Sequence, residues 1–512
     1  MATEVELKLQ MDRRHLERLR RHPAIQELKQ GRAVTRTLTS VYFDTARHHL
    51  YDAGVSLRIR HIGARRIQAV KVQAANGAGS SHLSRDEWEQ EIAGDQPDHQ
   101  ALREAGIAGV IARASGGNTL HPVFTTRFRR TTYCLGNGTW EMELTLDLGE
   151  VEAGQTTAPI CEAELELKRG SPADLYSVAR RLAQDLPLRV ALGSKADRGF
   201  DLVTGRTPSA VKADRLTLRP DMTGAQAFQA IGRACLHHLL LNEPALRDGR
   251  QPEAVHQMRV ALRRLRSAMS IFGEGIDGPE TESIKAELKW ITAQLGAARD
   301  LDVFTADILG PVLTEAADDG GLTALQALFQ ARRDEAYERA LAAVDQPRYA
   351  QMVLDVGAWL ETLPLRDSPR LAQPIETLAP EIMTARHGRT LKKGRHFKSL
   401  GPAQRHRLRI HIKKLRYATE FFESLMGRKK AAKFAANLAA LQDDLGHLND
   451  IDVAQTLIRD CIAEGTSPND STLSFAAGEV IGWHRAQAKG AKRLAVAARG
   501  WKRFTRAKRF WR

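Results

Sequence analysis

The sequence predicts an α+β region followed by an all-α region: an antiparallel β-barrel or strongly curved sheet with flanking helices, then two related helical bundles. Three observations predict it. Up to about residue 200 the chain reads as short runs that alternate apolar and polar residues with period two, broken by Gly and Asn turns. Beyond a polar connector at 204–223, which contains Pro208 and Pro220, it becomes rich in Ala, Leu and Arg with helical periodicity. Inside that second stretch, two separate segments recur at one common offset of 150 residues.

The first strand, Glu4-Val5-Glu6-Leu7-Lys8, puts Glu4, Glu6 and Lys8 on one face and Val5, Leu7 and Leu9 on the other, because side chains alternate across a strand. Carboxylates at that spacing can hold a hard cation, and the ammonium an anion. The pattern returns at residues 162–168 as Glu162, Glu164, Glu166 and Lys168. Between the two copies, Arg58 shares a face with Arg60, Arg85 with Glu87, Glu89 and Glu91, and Glu141 with Glu143 and Asp147. The intervening Leu57, Ile59, Trp88, Met142, Leu144, Leu146, Leu165 and Leu167 are apolar. An apolar exterior packed on helices near 12–30 and 172–185 and a charged, wet lumen account for both sets. The alternative is an exposed sheet whose charged face is solvated. Five charged strands weigh against it, because a solvated sheet has no need to match Arg-x-Arg with Glu-x-Glu-x-Lys. Unpaired buried charge is costly, and a phosphorylated substrate with a divalent metal satisfies both signs. Residues 77–81 read as a strand connector and not a phosphate loop, since no lysine and helix follow.

In the helical stretch, His256, Arg259, Arg263, Arg264 and Arg266 recur as His406, Arg409, Lys413, Lys414 and Arg416. The segment from Leu295 to Val303, Leu-Gly-Ala-Ala-Arg-Asp-Leu-Asp-Val, recurs from Leu445 to Val453 as Leu-Gly-His-Leu-Asn-Asp-Ile-Asp-Val. On a helix, His256, Arg259, Arg263 and Arg266 fall within an arc of about 80°, opposite Met258, Leu262, Leu265 and Met269. His406, Arg409, Lys413 and Arg416 do the same against Leu408, Ile412 and Leu415. Each stripe is about 15 Å long and uncompensated by Glu at four-residue spacing, which suits a linear polyanion better than a solvated face of mixed sign.

The charge agrees with that division. Of the net +15, residues 1–205 hold 28 Lys and Arg against 26 Asp and Glu, whereas 206–512 hold 48 against 35. The later part therefore faces a polyanion. Four cysteines without a Cys-x-x-Cys pair indicate neither zinc nor a disulfide framework. No run approaches the about 18 apolar residues that span a bilayer, so stable membrane insertion is not expected and a cytoplasmic setting is. The tail 489–512 carries ten Lys and Arg and no acid; its first part is expected to form the last helix of a basic channel, with residues after Phe504 frayed.

At these residues the chain resembles the CYTH family, the triphosphate tunnel metalloenzymes. The resemblance runs over roughly 1–203, through Glu4-x-Glu6-x-Lys8, Ser56 to Arg60, Lys71, Phe128 to Thr131, Asp147 to Glu150, residues 162–168 and Ser194 to Gly199. It implies an antiparallel barrel whose tunnel binds triphosphate with Mg²⁺ or Mn²⁺ and hydrolyses it. Glu4, Glu6, Glu164 and Glu166 would ligate metal, while Lys8, Arg58, Arg60, Lys71, Arg130 and Lys195 would clamp phosphate oxygens; Lys8, Glu4 and Glu6 form the expected catalytic set. Residues 220–512, after a linker at 204–219, resemble the CHAD domain. That resemblance implies two four-helix bundles around a basic channel binding inorganic polyphosphate through His256, Arg259, Arg263, Arg266, His406, Arg409, Lys413 and Arg416. Asp300, Asp302, Asp450 and Asp452 would order the arginines by salt bridges. The expected function is hydrolysis of inorganic triphosphate coupled to polyphosphate binding, with polyphosphate granules included in the setting. The alternatives are a non-catalytic polyphosphate scaffold and an enzyme acting on thiamine triphosphate or ATP. Nucleic acid fits the charge but no reading motif is present.

Overall fold

A computed structural model describes residues 2–72, 84–316, 319–363, 368–465, 471–487 and 490–511; the side chains of 2–4, 84–86, 274, 447–453, 461–465, 487 and 490–494 lie outside the described residues. The chain divides into two compact units, 1–209 with 345–362, and 210–344 with 363–512.

The first unit is built on nine strands: β1 Ala2–Gln10, β2 Val34–Asp44, β3 Val55–Ile62, β4 Arg65–Val72, β5 Ser84–Ile92, β6 His121–Gly136, β7 Glu141–Ala153, β8 Thr156–Arg169 and β9 Arg189–Ala191. Their order is β5-β4-β3-β2-β6-β7-β8-β1-β9, every described pairing is antiparallel, and β5 pairs again with β1. Strand β1 pairs with β5 along Ala2–Val5 and, further on, lies between β8, along Glu6–Gln10, and β9, along Lys8–Gln10. The sheet thus curls until its end strand β5 pairs with β1 near its other end, the expected antiparallel, tunnel-like arrangement. Local sequence sets the hairpins. Gly63 and Gly154, both at positive φ (+60° and +61°), open two-residue loops between β3 and β4 and between β7 and β8.

Outside the barrel, Leu57, Ile59, Val70 and Ile92 pack with Leu102 and Ile111 from the helices His99–Glu104 and Ala108–Ser115 and with Ile107, which caps the second. Part of the same unit comes from far downstream. The helix Pro347–Thr362, though it falls inside 220–512, packs on the helix Pro172–Gln184: Asp355 pairs with Arg180 at 2.6 Å, and a Cβ on Gly357 would meet the Tyr176 ring at 2.2 Å.

The second unit is helical. Two repeat-related helices, Pro252–Phe272 and Pro402–Phe421, carry the basic stripes, and each is followed by a long helix, Pro279–Val303 and Arg428–Gly465. Their apolar faces, with Met258, Leu262 and Leu265 in one and Leu408, Ile412 and Leu415 in the other, are buried. No helix among the described residues is long and apolar enough to cross a membrane. The tail corrects the expectation of fraying after Phe504. Trp511 is buried, its Nε1 donates to Thr384 Oγ1 at 3.1 Å, and it packs with Phe434 and Phe510, because three large rings recover more by burial than the last residues lose by ordering.

Candidate active site and basic helices

Cross-strand register assembles the lumen row by row. Glu143, Glu166 and Glu6 stand directly opposite one another on β7, β8 and β1. The next row is Thr145, Glu164 and Lys8, and the one after it Asp147, Glu162 and Gln10, with Arg130 of β6 opposite Asp147. Residues paired in this way point to one face, and three like charges in a row destabilise a sheet without a counter-ion.

The inner rows are neutralised from within. Lys195, the first residue of the helix Lys195–Thr204, brings its ammonium within 2.7 Å of Asp147, 2.5 Å of Glu162 and 3.1 Å of Glu164. Local sequence fixes that helix start: Ser194 Oγ accepts from the Asp197 amide, and the Asp197 carboxylate accepts from the Ser194 amide. Arg130 forks onto Asp147 at 2.8 and 2.6 Å and reaches Glu164 at 2.7 Å, Arg198 reaches Glu162 at 3.0 Å, and Lys8 lies 3.0 Å from Glu164 and 3.9 Å from Glu6. Burial drives the Glu164 carboxyl upwards, but Lys195, Lys8 and Arg130 outweigh it and hold the group well below the usual carboxylate range. Burial likewise opposes the Lys195 charge, and its three carboxylates overcome that.

The opposite wall is cationic. Arg58 lies 3.3 Å from Glu87 and 3.7 Å from Glu89, Arg60 lies 3.7 Å from Glu89, and Lys71 pairs with Glu87 at 3.0 Å. Tyr42, opposite Arg58 in the register, accepts from its Nη1 at 3.3 Å. Arg60 is the under-compensated member. Burial, then Arg58 and Arg130, push its guanidinium down to about 10, and its buried Nε has no hydrogen-bond partner among the described residues.

One end of this face is apolar, which the strand pattern did not predict. Leu38, Tyr42, Phe124, Phe128, Val151 and Ile160 share the lumen face by period two and pack with Phe200 of the Lys195–Thr204 helix. Gly199 lets that helix in, since a Cβ there would meet the Phe124 ring at 2.1 Å. Above the apolar floor, Lys195 and Arg130 sit 5.0 and 5.6 Å from the Phe128 centroid.

Of the residues read from the sequence, the structure brings Glu6, Lys8, Arg58, Arg60, Lys71, Arg130, Glu164, Glu166 and Lys195 to one lumen. The β1 backbone places Glu4 opposite Arg85, and its side chain lies outside the described residues, as do residues 77–81. Asp147 and Glu162, absent from the expected ligand set, form with Glu164 a cluster whose oxygens lie within 4.8 Å of one another. Lys195 and Arg198 answer much of that charge. The outer row, Glu6, Glu143 and Glu166, is answered by Lys8 at 3.9 Å from Glu6 and by Lys168, which pairs with Glu166. An all-carboxylate donor set fits a hard cation such as Mg²⁺ or Mn²⁺.

In the second unit, the first stripe packs on the helix that follows it. Arg259 Nη1 donates to the Thr292 carbonyl at 2.9 Å and lies 4.0 Å from Asp300, while Asp302 accepts from Arg333 at 2.8 Å and from Tyr337 at 2.9 Å. Asp302 therefore orders an arginine of the helix Gly320–Asp345 and not one of the stripe. Arg263 is half-buried with its Nε lacking a hydrogen-bond partner among the described residues, and Arg266 is exposed. Burial, then Arg299, push the His256 imidazole below 6.5. The repeated Leu-Gly explains itself here: a Cβ on Gly296 would meet Arg259 Nη1 at 2.9 Å, and one on Gly446 would meet Arg409 Nη2 at 2.8 Å. In the second stripe, His406 is exposed, Arg409 and Lys413 are half-buried, and Arg416 lies 3.6 Å from Glu420, four residues on, so the last cation of this stripe is compensated, against the expectation. The side chains of Asp450 and Asp452 lie outside the described residues.

Comparison with known proteins follows this division. The CYTH domain family matches residues 2–200 and the CHAD domain family residues 230–459. The chain is a CYTH domain followed by a CHAD domain. The chain is 32% identical, over 165 residues, to the inorganic triphosphatase of Haemophilus influenzae; the match covers 32% of this chain and 45% of that protein, so the chain spans about half of that relative. An uncharacterised protein of Mycobacterium tuberculosis is 25% identical over 468 residues, 85% of each chain. The CHAD part is similar to the crystal structure of the CHAD domain from the plant Ricinus communis, at 33% identity and a TM-score of 0.51, covering 57% of this chain and 96% of that one.

Proposed function

We propose that the CYTH domain hydrolyses inorganic triphosphate to pyrophosphate and phosphate with Mg²⁺ or Mn²⁺, and that the CHAD domain binds inorganic polyphosphate. The observation that carries the first part is the pairing of an under-compensated guanidinium, Arg60, with a row of three carboxylates on one barrel face. A triphosphate bound with a divalent cation carries both signs, the anion for the arginine wall and the cation for the carboxylate row.

Phosphoryl transfer needs positioning and charge neutralisation more than covalent help. Arg58, Arg60 and Arg130 present guanidinium forks to the phosphoryl oxygens, and Lys8, Lys71 and Lys195 add point charges. Glu6, Glu143, Glu164 and Glu166 would hold the cation, with Glu4 extending the set on the same strand face. When bound, such a cation draws electron density from phosphoryl oxygen and lowers the pKa of bound water. Water oxygen forms the new bond to the terminal phosphorus as the bridging P–O bond breaks, the two water protons leave with the product phosphate, and the charge left on pyrophosphate falls to the arginine wall. The H. influenzae relative named an inorganic triphosphatase supports this substrate.

The two cationic stripes of the CHAD domain, each packed through its arginine on a repeated glycine, support polyphosphate as the ligand of that domain. The deciding measurement is phosphate release from triphosphate, pyrophosphate, longer polyphosphate, ATP and thiamine triphosphate with Mg²⁺ or Mn²⁺. Triphosphate turnover lost in Glu6→Gln is expected. Equal, near-zero rates for wild type and variant, with tight polyphosphate binding, would replace this reading with a non-catalytic scaffold.

A further inference from the structure

The two basic helices of the CHAD domain meet through a second set of residues, off the stripes, and the meeting is two-fold in pattern but not in charge. Arg264 and Lys414 are repeat equivalents, and so are Ser270 and Glu420, each separated by 150. Arg264 Nη1 bonds Glu420 Oε2 at 2.9 Å, and Lys414 Nζ donates to Ser270 Oγ at 2.9 Å. Each cation thus crosses to the partner helix at the position equivalent to the other's acceptor, which is the reciprocity of an isologous contact formed inside one chain. At one end the acceptor is a carboxylate; at the other it is only a hydroxyl.

The neutral end also gathers more cations. Arg386, a buried residue of the helix Ile375–Lys393, donates to the Ser270 carbonyl and comes within 3.4 Å of its Oγ. Burial, then Arg386, Arg266 and Arg389, push Lys414 below its ordinary value; burial, then Arg389, push Arg386 down to about 10. His411 is lowered by burial and by Lys414, Lys393, Arg386 and Arg389. No carboxylate among the described residues forms an ion pair with Lys414 or Arg386. At the equivalent end Glu420 answers Arg264 and, at 3.6 Å, Arg416. Desolvated cations of this kind are costly until an anion joins them.

We propose that Ser270, Lys414 and Arg386 floor a single oxyanion site, rimmed by Arg266, Arg389 and His411, in which one phosphoryl group takes the place of the carboxylate that the repeat supplies at the other end. The floor is buried and half-buried while Arg266 and Arg389 are exposed, so the group enters from solvent and is held by charge-assisted hydrogen bonds from Lys414 and Arg386, with Ser270 Oγ free to donate to it. The floor lies off the second stripe, because Lys414 lies about 80–160° around its helix from His406, Arg409, Lys413 and Arg416, and its rim meets the first stripe at Arg266.

The test is calorimetric titration of the full chain with sodium phosphate, with sodium chloride at matched ionic strength as reference, and separately with long-chain polyphosphate. Wild type is expected to bind phosphate saturably at one site per chain. Ser270→Glu, which restores the carboxylate, should weaken phosphate binding by about tenfold or more while leaving the unfolding temperature equal or higher. Lys414→Gln should weaken it comparably, which keeps the test open if Ser270→Glu folds poorly. Loss of polyphosphate affinity in the same variants would make chain phosphoryl groups the ligand; loss confined to free phosphate would make it the monomer. The proposal is overturned if both variants bind phosphate as wild type does, or if heat changes follow ionic strength alone.

Discussion

The Lys195 ammonium lies 2.5 Å from a Glu162 carboxylate that is wholly shielded from solvent. With Asp147 and Glu164 also within 3.1 Å of the same nitrogen, one lysine at the start of a helix is the counter-ion of three carboxylates from two strands. Removing one partner from such a buried cluster leaves uncompensated charge. Lys195→Met is therefore expected to lower stability by about 3–5 kcal/mol. Calorimetric unfolding would check it, and adding Glu162→Gln should restore part of the loss. An unfolding temperature unchanged in Lys195→Met would contradict the counter-ion role.

That nest also marks where the strand periodicity stops being informative, since Lys195 was reached only through the family resemblance. Period-two arithmetic found Glu6, Lys8, Arg58, Arg60, Glu164 and Glu166, because register only has to place facing strands side by side. It could not find that Lys195, on a helix 31 residues past Glu164, enters the inner rows, nor that Phe124, Phe128 and Phe200 make the floor beneath them. Both depend on where a helix docks, and docking is decided by shape, as at Gly199, more than by any periodicity. The burial of Trp511 and the return of Pro347–Thr362 to the first unit were hidden for the same reason. The 150-residue repeat, by contrast, was legible because it is a relation within the sequence itself.

Arg60 behaves in the opposite way to Lys195. Burial and two neighbouring arginines already depress its guanidinium to about 10, so the folded protein carries this charge at a cost. Arg60→Met should leave the unfolding temperature unchanged or raised, while kcat/KM for triphosphate falls by about tenfold or more, the loss of one charge-assisted contact of roughly 1.5–3 kcal/mol. A variant that loses stability and keeps its activity would show that Arg60 is structural.

Two pH effects carry opposite origins. Glu164 and Glu162 are both held below their ordinary 4.5, so their stabilisation is fully present above that value and is lost as pH falls through their lower folded values. Acid unfolding of the CYTH domain should set in below 4.5 and shift upwards in Lys8→Met. In the CHAD domain, burial and Arg299, Arg263 and Arg259 keep His256 below 6.5 against the pull of Glu253. A bound polyanion favours its protonated form, so polyphosphate affinity is expected to rise as pH drops below 6.5, and His256→Gln should reduce that rise.

Gly296 and Gly446 separate binding from stability. A Cβ at either position meets only the far end of an arginine, Arg259 Nη1 at 2.9 Å or Arg409 Nη2 at 2.8 Å, so the backbone need not move. Alanine is also a better helix former than glycine by about 1 kcal/mol. Each Gly→Ala variant should be as stable as wild type or slightly more so, while its displaced guanidinium weakens polyphosphate binding. If affinity is unchanged, the glycines serve helix packing alone and the stripe does not depend on where they hold the arginine.

Chelation should act on turnover without unfolding the barrel. The inner carboxylates are already answered by Lys195, Arg130 and Arg198 at 2.5–3.1 Å, so their cohesion needs no metal. The outer row of Glu6, Glu143 and Glu166 places like charges directly opposite one another, and it is there that a divalent cation would be held. Excess EDTA is expected to abolish phosphate release from triphosphate and to lower the unfolding temperature by only a few degrees, with Mg²⁺ or Mn²⁺ restoring the rate. Glu143→Gln, by relieving the row, should raise the metal-free unfolding temperature and lower apparent metal affinity together. A barrel that unfolds on chelation would move the cation inwards, to Asp147, Glu162 and Glu164, and make Lys195 its competitor.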